Sequence, residues 1–253
     1  MERTRIAPTP SGFLHAGNGV SFLLTAKLAQ RMNATLRLRI DDLDHERART
    51  NYIDDLFESL RWLGIVPDEG PRSRSELEFE HSQMKRVARY EEYIGLLKEQ
   101  GDLYACTCSR AVLKELQRKG RRSCECRQKG RSFTDPDASW RLHLPSDAVV
   151  RMEQLMGGTA LLNPAELMPD PVIEQRASLG GGAKPAYQIA SLIDDADHGI
   201  TFIVRGEDLL PSTACQLYLA DRLGLESFKR IRFVHHPLIT DVNGKKLSKS
   251  EGA

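Results

Sequence analysis

The residues best suited to chemistry stand at opposite ends of the chain. Pro8-Thr-Pro-Ser-Gly-Phe-Leu-His15-Ala-Gly17-Asn18 lies near the start, and Lys245-Lys246-Leu-Ser248-Lys249-Ser250 near the finish. The first stretch runs from a β-like segment, Thr4 to Ala7, through Pro and Gly into a helical pattern that opens near Gly17. An anion placed there would meet the unpaired N–H groups of a helix N-terminus, with His15 and Asn18 as neutral donors beside it. The second stretch follows an Asn243-Gly244 turn and puts ammonium groups and hydroxyls on a short loop, a composition suited to a triphosphate whose charge shifts during reaction. Taken singly, His15 reads as a satisfied loop histidine and the lysines as a solvated basic turn. Their order around an intervening α/β pattern favours one nucleotide site built from both ends.

Cysteines form the second chemical group. Cys106-Thr-Cys108 and Cys124-Glu-Cys126 are two C-x-C pairs separated by a charged segment, so four thiolates can converge on one tetrahedral ion, for which zinc is the economical choice. Four-thiolate ligation leaves no position for water and implies a structural role. Cys215 lies on a helix face and reads as packing. The run from Arg118 to Arg131 is rich in Arg and Lys and encloses Cys124 and Cys126; it reads either as a local RNA contact or as a solvated loop.

These groups need a scaffold. Leu36, Leu38 and Ile40 alternate with Arg37 and Arg39 as on a strand, and Ile53, Leu56, Phe57, Leu60 and Leu63 recur at helical spacing behind Thr50, a plausible N-cap. Val87, Tyr90, Ile94 and Leu97 predict another helix that closes before Gly101. Ile200 to Val204 and Ile231 to Val234 read as strands, with a helix between them opening at Pro211-Ser212-Thr213 and ending at Gly224. That alternation predicts an α/β fold, a Rossmann-like parallel sheet with ligands beyond the carboxyl ends of its strands. The change of character after Gly101 predicts an inserted zinc-bearing α+β subdomain at 103–186, between catalytic halves at 1–102 and 187–253.

Composition bounds the function. The 253 residues hold 36 Lys and Arg against 35 Asp and Glu, a formal charge of +1, so any RNA contact must come from local patches. There is no long apolar stretch, and Met-Glu-Arg-Thr-Arg lacks the shape of a signal peptide, which places the expected protein in the cytoplasm and away from membranes; a monomer is expected.

His15-Ala-Gly-Asn18 and Lys246-Leu-Ser-Lys249-Ser250 resemble the two signatures of class I aminoacyl-tRNA synthetases, usually written HIGH and KMSKS. Arg5 to His15, Leu38 to Arg47, Trp62 to Ile65, Asp68 to Pro71, Ala186 to Ala190, Asp194-Asp195 and Val204 to Asp208 are similar, in order, to the glutamyl-tRNA synthetase family. Within it the resemblance is nearest to the short, zinc-bearing glutamyl-Q tRNA(Asp) branch, which lacks an anticodon-binding domain. With Ala253 only three residues beyond Ser250, no such domain is expected here.

The resemblance implies ATP-dependent activation of L-glutamate and transfer to a tRNA, onto queuosine in the tRNA(Asp) anticodon. A tRNA 3′ end, a non-tRNA acceptor, and a non-catalytic ATP- or RNA-binding paralogue stand as alternatives. It places ATP at His15, Gly17, Asn18, Glu207, Lys246, Ser248, Lys249 and Ser250, with Mg²⁺ shared among the phosphates. It assigns His15, Asn18, Lys246 and Lys249 to catalysis and Arg5, Ala7, Thr9, Asp41, Tyr187 and Arg205 to the amino acid. Arginine forks suit the carboxylates. Asp41 stands where the family has a glutamate facing the substrate ammonium, and Asp42 competes for that role; without this context Arg39, Asp41 and Asp42 read as a surface ion-pair set. Cys126 stands where the branch usually has a tyrosine in the zinc knuckle.

Overall fold

The structure is a computed structural model, and it describes residues 1–44, 47–121, 123–177 and 182–239. Lys246, Ser248, Lys249 and Ser250 lie outside the described residues.

The first half opens with strand β1 (Arg3–Ile6), helix α1 (Ala16–Arg31), strand β2 (Thr35–Leu38) and helix α2 (Thr50–Trp62). β1 and β2 pair in parallel, with Ile6 opposite Leu38. The pairing continues past β2, since Arg39 N–H donates to Ile6 O and Asp41 N–H to Pro8 O. Thr50 is the first helical residue of α2, not its cap: Arg49 holds that position and makes no side-chain cap bond. Arg49, Thr50 and Asn51 are exposed, so water can serve the first N–H groups without a capping side chain.

Helix α3 (Val87–Glu99) leads into β3 (Leu103–Cys106), helix α4 (Arg110–Arg118) and strands β4 (Ser139–Leu142), β5 (Val150–Gln154), β6 (Thr159–Leu162), β7 (Val172–Gln175) and β8 (Lys184–Pro185). The chain closes with α5 (Tyr187–Asp197), β9 (Phe202–Gly206), α6 (Leu210–Arg222) and β10 (Arg232–His236). β9 and β10 are parallel, and β10 is also parallel to β5, with β6 antiparallel at the far edge. Strand β1 runs beside β9, where Thr4 Oγ1 donates to Phe202 O at 2.8 Å and Thr201 N–H donates to Arg3 O at 2.8 Å. The result is the expected α/β architecture on a parallel sheet. Residues 150–162 contribute strands to this sheet, whereas β3, β4, β7 and β8 form a separate antiparallel one.

Among the described residues, the two larger apolar cores hold these elements. Ile6, Phe22, Leu38 and Leu56 pack α1 and α2 onto β1 and β2. Ile193, Ile203, Leu217 and Phe233 join α5 and α6 to β9 and β10, with Cys215 fully buried among them as a packing residue. No helix among the described residues is long and apolar enough to cross a membrane.

Candidate active site and cysteine cluster

The turn before α1 is built by its own side chains. His15 is the N-cap: its Nδ1 accepts from Gly17 N–H at 3.1 Å, while Asn18 Oδ1 accepts from His15 N–H at 3.2 Å, a reciprocal capping box. A neutral ring that accepts at Nδ1 carries its proton on Nε2. A Cβ at Gly17 would lie 2.9 Å from His15 Cε1, so glycine is required for the ring to fold back over the helix end. Helix α2 braces the preceding loop, with Asp55 Oδ2 accepting from Leu14 N–H and the Phe13 ring edge-on to Tyr52 at 4.9 Å.

This helix end faces a cleft of about 410 Å³ at the carboxyl ends of β1, β9 and β10. Arg5, Ala7, Thr9, His15, Gly17, Asn18, Tyr187 and Arg205, all read from the sequence, border it together. Glu207 does not: it is exposed, and its Oε1 accepts from Leu238 N–H, while its neighbour Asp208 borders the cleft. His236, at the end of β10, also borders it and was not anticipated. Its position at the carboxyl end of a parallel strand was the available signal.

Behind the cleft lies a buried charge network. Arg39 grips Asp41 with two nitrogens, at 2.6 and 3.3 Å, and reaches Asp195 at 2.7 Å and Ser191 Oγ at 2.9 Å. Arg5 Nε donates to the same Asp195 oxygen at 3.0 Å. Asp194 accepts from Gln83, Arg86 and Tyr90. Arg39, Asp41, Asp42, Asp194 and Asp195 are all buried, so the surface ion-pair reading fails. Burial opposes the charge on Asp195, but Arg39 and Arg5 outweigh it and hold its carboxyl below the ordinary value. For Asp41 burial wins against Arg39, and its pKa is pushed up to about 6. Asp42 accepts from Gln83 N–H at 2.8 Å and is raised mainly by burial.

Arg205 is the outlier. It is 3% exposed, its Nη1 donates to Gln216 Oε1 at 3.0 Å, and its guanidinium lies over the Phe233 ring at 5.2 Å. Its Nε and Nη2 are buried with no hydrogen-bond partner among the described residues. Burial lowers its pKa to about 10, with nearby Arg5 adding to that effect and Tyr187 and Asp195 opposing it. A buried cation with unmade bonds is suited to an incoming anion.

A second cleft of about 400 Å³ meets the first at Thr9 and Tyr187. Asp41 lines it, with Arg47, Arg110, Arg176 and Lys184 around it. Of the two candidate ammonium partners, Asp41 therefore faces a cleft, while Asp42 is turned to the backbone of Gln83.

The cysteines converge as the spacing predicted. Cys106, Cys108, Cys124 and Cys126 bring their sulfurs within 4.8 Å of one another, with Cys106–Cys124 at 3.5 Å and Cys108–Cys126 at 3.6 Å. Tetrahedral ligation at a Zn–S length of about 2.3 Å needs sulfurs about 3.8 Å apart, so this donor set fits a structural zinc ion. Burial opposes charge on Cys126, but bonds from Cys108 and the Thr107 backbone bring its thiol down to about 7. In the basic run, Glu115 pairs with Arg118 and Lys119, and Glu125 with Arg121 and Lys129, all at exposed positions.

Residues 2–253 match the family described as tRNA synthetases class I (E and Q), catalytic domain. The glutamate–tRNA ligase of Synechococcus sp. (strain CC9902) is 33% identical over 265 residues, covering 100% of this chain and 53% of that protein. The glutamate–tRNA ligase of Lawsonia intracellularis (strain PHE/MN1-00) is 34% identical over 257 residues, covering 99% of this chain and 51% of that protein. Among solved structures, the glutamate-tRNA synthetase from Elizabethkingia anophelis gives a TM-score of 0.75 at 27% identity, covering 99% of this chain and 53% of that one. A glutamate tRNA ligase from Elizabethkingia meningosepticum, solved in complex with its amino acid, gives the same TM-score of 0.75 at 27% identity and covers 99% of this chain and 52% of that one. The chain thus spans about half the length of these relatives, 53% and 51% of the two ligases.

Proposed function

The chain belongs to the class I tRNA synthetases (E and Q) by its catalytic domain, and from that premise we propose that its paired clefts activate L-glutamate with ATP and pass it to a tRNA. The observation that carries the glutamate reading is Arg205, a buried guanidinium with two nitrogens unmatched beside Arg5 in the first cleft. A substrate carboxylate would supply the missing acceptors. Asp41, across the neck formed by Thr9 and Tyr187, would take the ammonium group.

In the first step a substrate carboxylate oxygen bonds to the α-phosphorus of ATP, the bond from that phosphorus to the β-phosphate bridging oxygen breaks, and pyrophosphate leaves. An acceptor hydroxyl then attacks the activated carbonyl and AMP departs. Little covalent help is needed from the protein, so alignment and charge stabilisation dominate. We assign His15 and Asn18, at the α1 N-terminus, to the α-phosphate. Lys246 and Lys249 are assigned to the departing pyrophosphate and Ser248 and Ser250 to support of that role; Mg²⁺, when bound with ATP, would neutralise phosphate charge. Zinc in the cysteine cluster would hold β3 to the segment at Cys124–Cys126 and supply no chemistry to the reaction.

For the acceptor we propose queuosine in the tRNA(Asp) anticodon, on the resemblance to the short zinc-bearing branch. The relatives named glutamate–tRNA ligases favour the tRNA(Glu) 3′ end as the second reading. ATP–pyrophosphate exchange across the amino acids tests the first step, with glutamate expected to be far better than glutamine, whose neutral amide leaves the buried guanidinium unpaired. No exchange with any amino acid refutes activation. Labelled glutamate offered to tRNA(Asp) with and without queuosine, and to tRNA(Glu), decides the acceptor.

A further inference from the structure

We infer that His236 is a nucleotide-specificity residue, whose Nε2 accepts a hydrogen bond from a donor on the nucleoside of the bound triphosphate. The inference rests on the nucleotide role proposed for the first cleft.

Strand β10 alternates its side chains. Phe233 and His235 lie on one face, stacked at 6.0 Å, and His235 Nε2 bonds Thr213 Oγ1 at 2.7 Å. His236 therefore projects from the other face and borders the cleft. Its Nδ1 lies 2.9 Å from Pro237 O. A carbonyl only accepts, so Nδ1 carries the proton, and Nε2 of a neutral ring is left as an acceptor. That Nε2 is buried and has no partner among the described residues. A buried acceptor with nothing to accept is costly, and here it stands at the rim of the proposed nucleotide cleft.

The neighbouring strand is closely packed at this point. His236 is in register with Gly206 of β9. A Cβ on Gly206 would come within 2.6 Å of Asp208 Oδ1 and 3.2 Å of Leu238 Cδ2, so any side chain would displace the residues that shape this end of the cleft. With phosphates at the α1 N-terminus, the nucleoside falls at the β9–β10 end, where Leu209, Leu238 and Ile239 offer apolar walls for a base. An acceptor at that end matches an exocyclic amine or a ribose hydroxyl. It opposes a base that presents a carbonyl in the same place.

Equilibrium binding to the full chain tests this, with ATP, 2′-deoxy-ATP, 3′-deoxy-ATP and purine riboside triphosphate as probes and with wild type, His236→Phe and His236→Gln compared. His236→Phe should bind ATP about three- to tenfold more weakly, the effect of one neutral hydrogen bond. His236→Gln, which keeps an acceptor, should recover most of that loss. For one analogue, wild type and His236→Phe should bind alike, and its missing group identifies the donor. Unchanged ATP binding in His236→Phe overturns the assignment, and so does an equal penalty for all four nucleotides, the sign of a packing defect. If wild type binds ATP and either of those results follows, His236 alone is misassigned; if wild type binds no nucleotide, the cleft reading falls with it.

Discussion

Replacing Arg205 with Met separates the cost of the site from its use. Burial takes the guanidinium from its ordinary value down to about 10, which corresponds to about 3 kcal/mol against the charged form. The sign is that of a base with a depressed folded-state pKa, so the folded chain bears this cost throughout the neutral range and sheds it only as pH rises through about 10. Opposing it are the contact with Phe233, about 1 to 2 kcal/mol, and the bond to Gln216, about 1.5 kcal/mol or more. These nearly cancel. Arg205→Met should therefore change ligand-free stability by no more than about 1 kcal/mol, although breaking a paired buried ion commonly costs about 3 to 5 kcal/mol. Asp195→Asn, which strips charge from beneath Arg5 and Arg39, is the comparison expected to show that larger loss. Urea unfolding of both variants, with and without glutamate, is the assay. Glutamate at a hundred times its Kd should add about 2.7 kcal/mol to wild type, and nothing to Arg205→Met. A loss near 3 kcal/mol in ligand-free Arg205→Met would refute the reasoning, because it would mean the guanidinium is well paired before substrate arrives.

The other expectations concern the cap, the acid and the metal. Gly17→Ala should push the His15 ring out of its cap, costing about 1 kcal/mol and slowing pyrophosphate exchange, whereas Gly19→Ala, whose new Cβ meets only Leu63 at 3.9 Å, should do neither. With the Asp41 pKa at about 6, glutamate affinity should fall below that pH by up to about tenfold per unit, as the carboxylate proposed to face the ammonium group is protonated; Asp41→Asn should be weak at all pH values, with the slope gone. Purified protein should carry close to one zinc per chain by metal analysis, and Cys108→Ser should lose it with a larger effect on acceptor transfer than on exchange.

The first strand, its turn and α1 were legible because Pro, Gly and His15 punctuate a strand-to-helix passage with few other solutions. The cysteine cluster was legible for a similar reason, since few arrangements satisfy four thiols at such spacing. Arg39 was not. On β2's alternation it reads as the outward partner of Leu38 and Ile40, and only the fully buried pair Asp194-Asp195, more than 150 residues away, turns that outward face into an interior. Charge pairing across such separations leaves no periodic trace in sequence. The place of residues 150–162 beside β10 was hidden similarly, because strand order in a sheet is set by tertiary packing, while alternation reports only that a strand exists. Glu207 and Asp208 show the limit at finer scale: adjacent acids on one turn, of which the backbone turns Asp208 to the cleft and Glu207 to Leu238.

Thr9 and Tyr187 border both clefts, so the amino acid seated at that neck would itself be the partition between them. On the proposed assignment the first cleft would take the triphosphate, and the second is the one lined by Arg47, Arg110 and Arg176. A fitting side chain would act as a gasket. A side chain one methylene too short, as in aspartate, would fill the neck less completely and leave the activated carbonyl open to water. Discrimination then has a second tier beyond affinity: a poorly sealing amino acid would be activated and lost to hydrolysis before an acceptor arrives, with no separate editing site required.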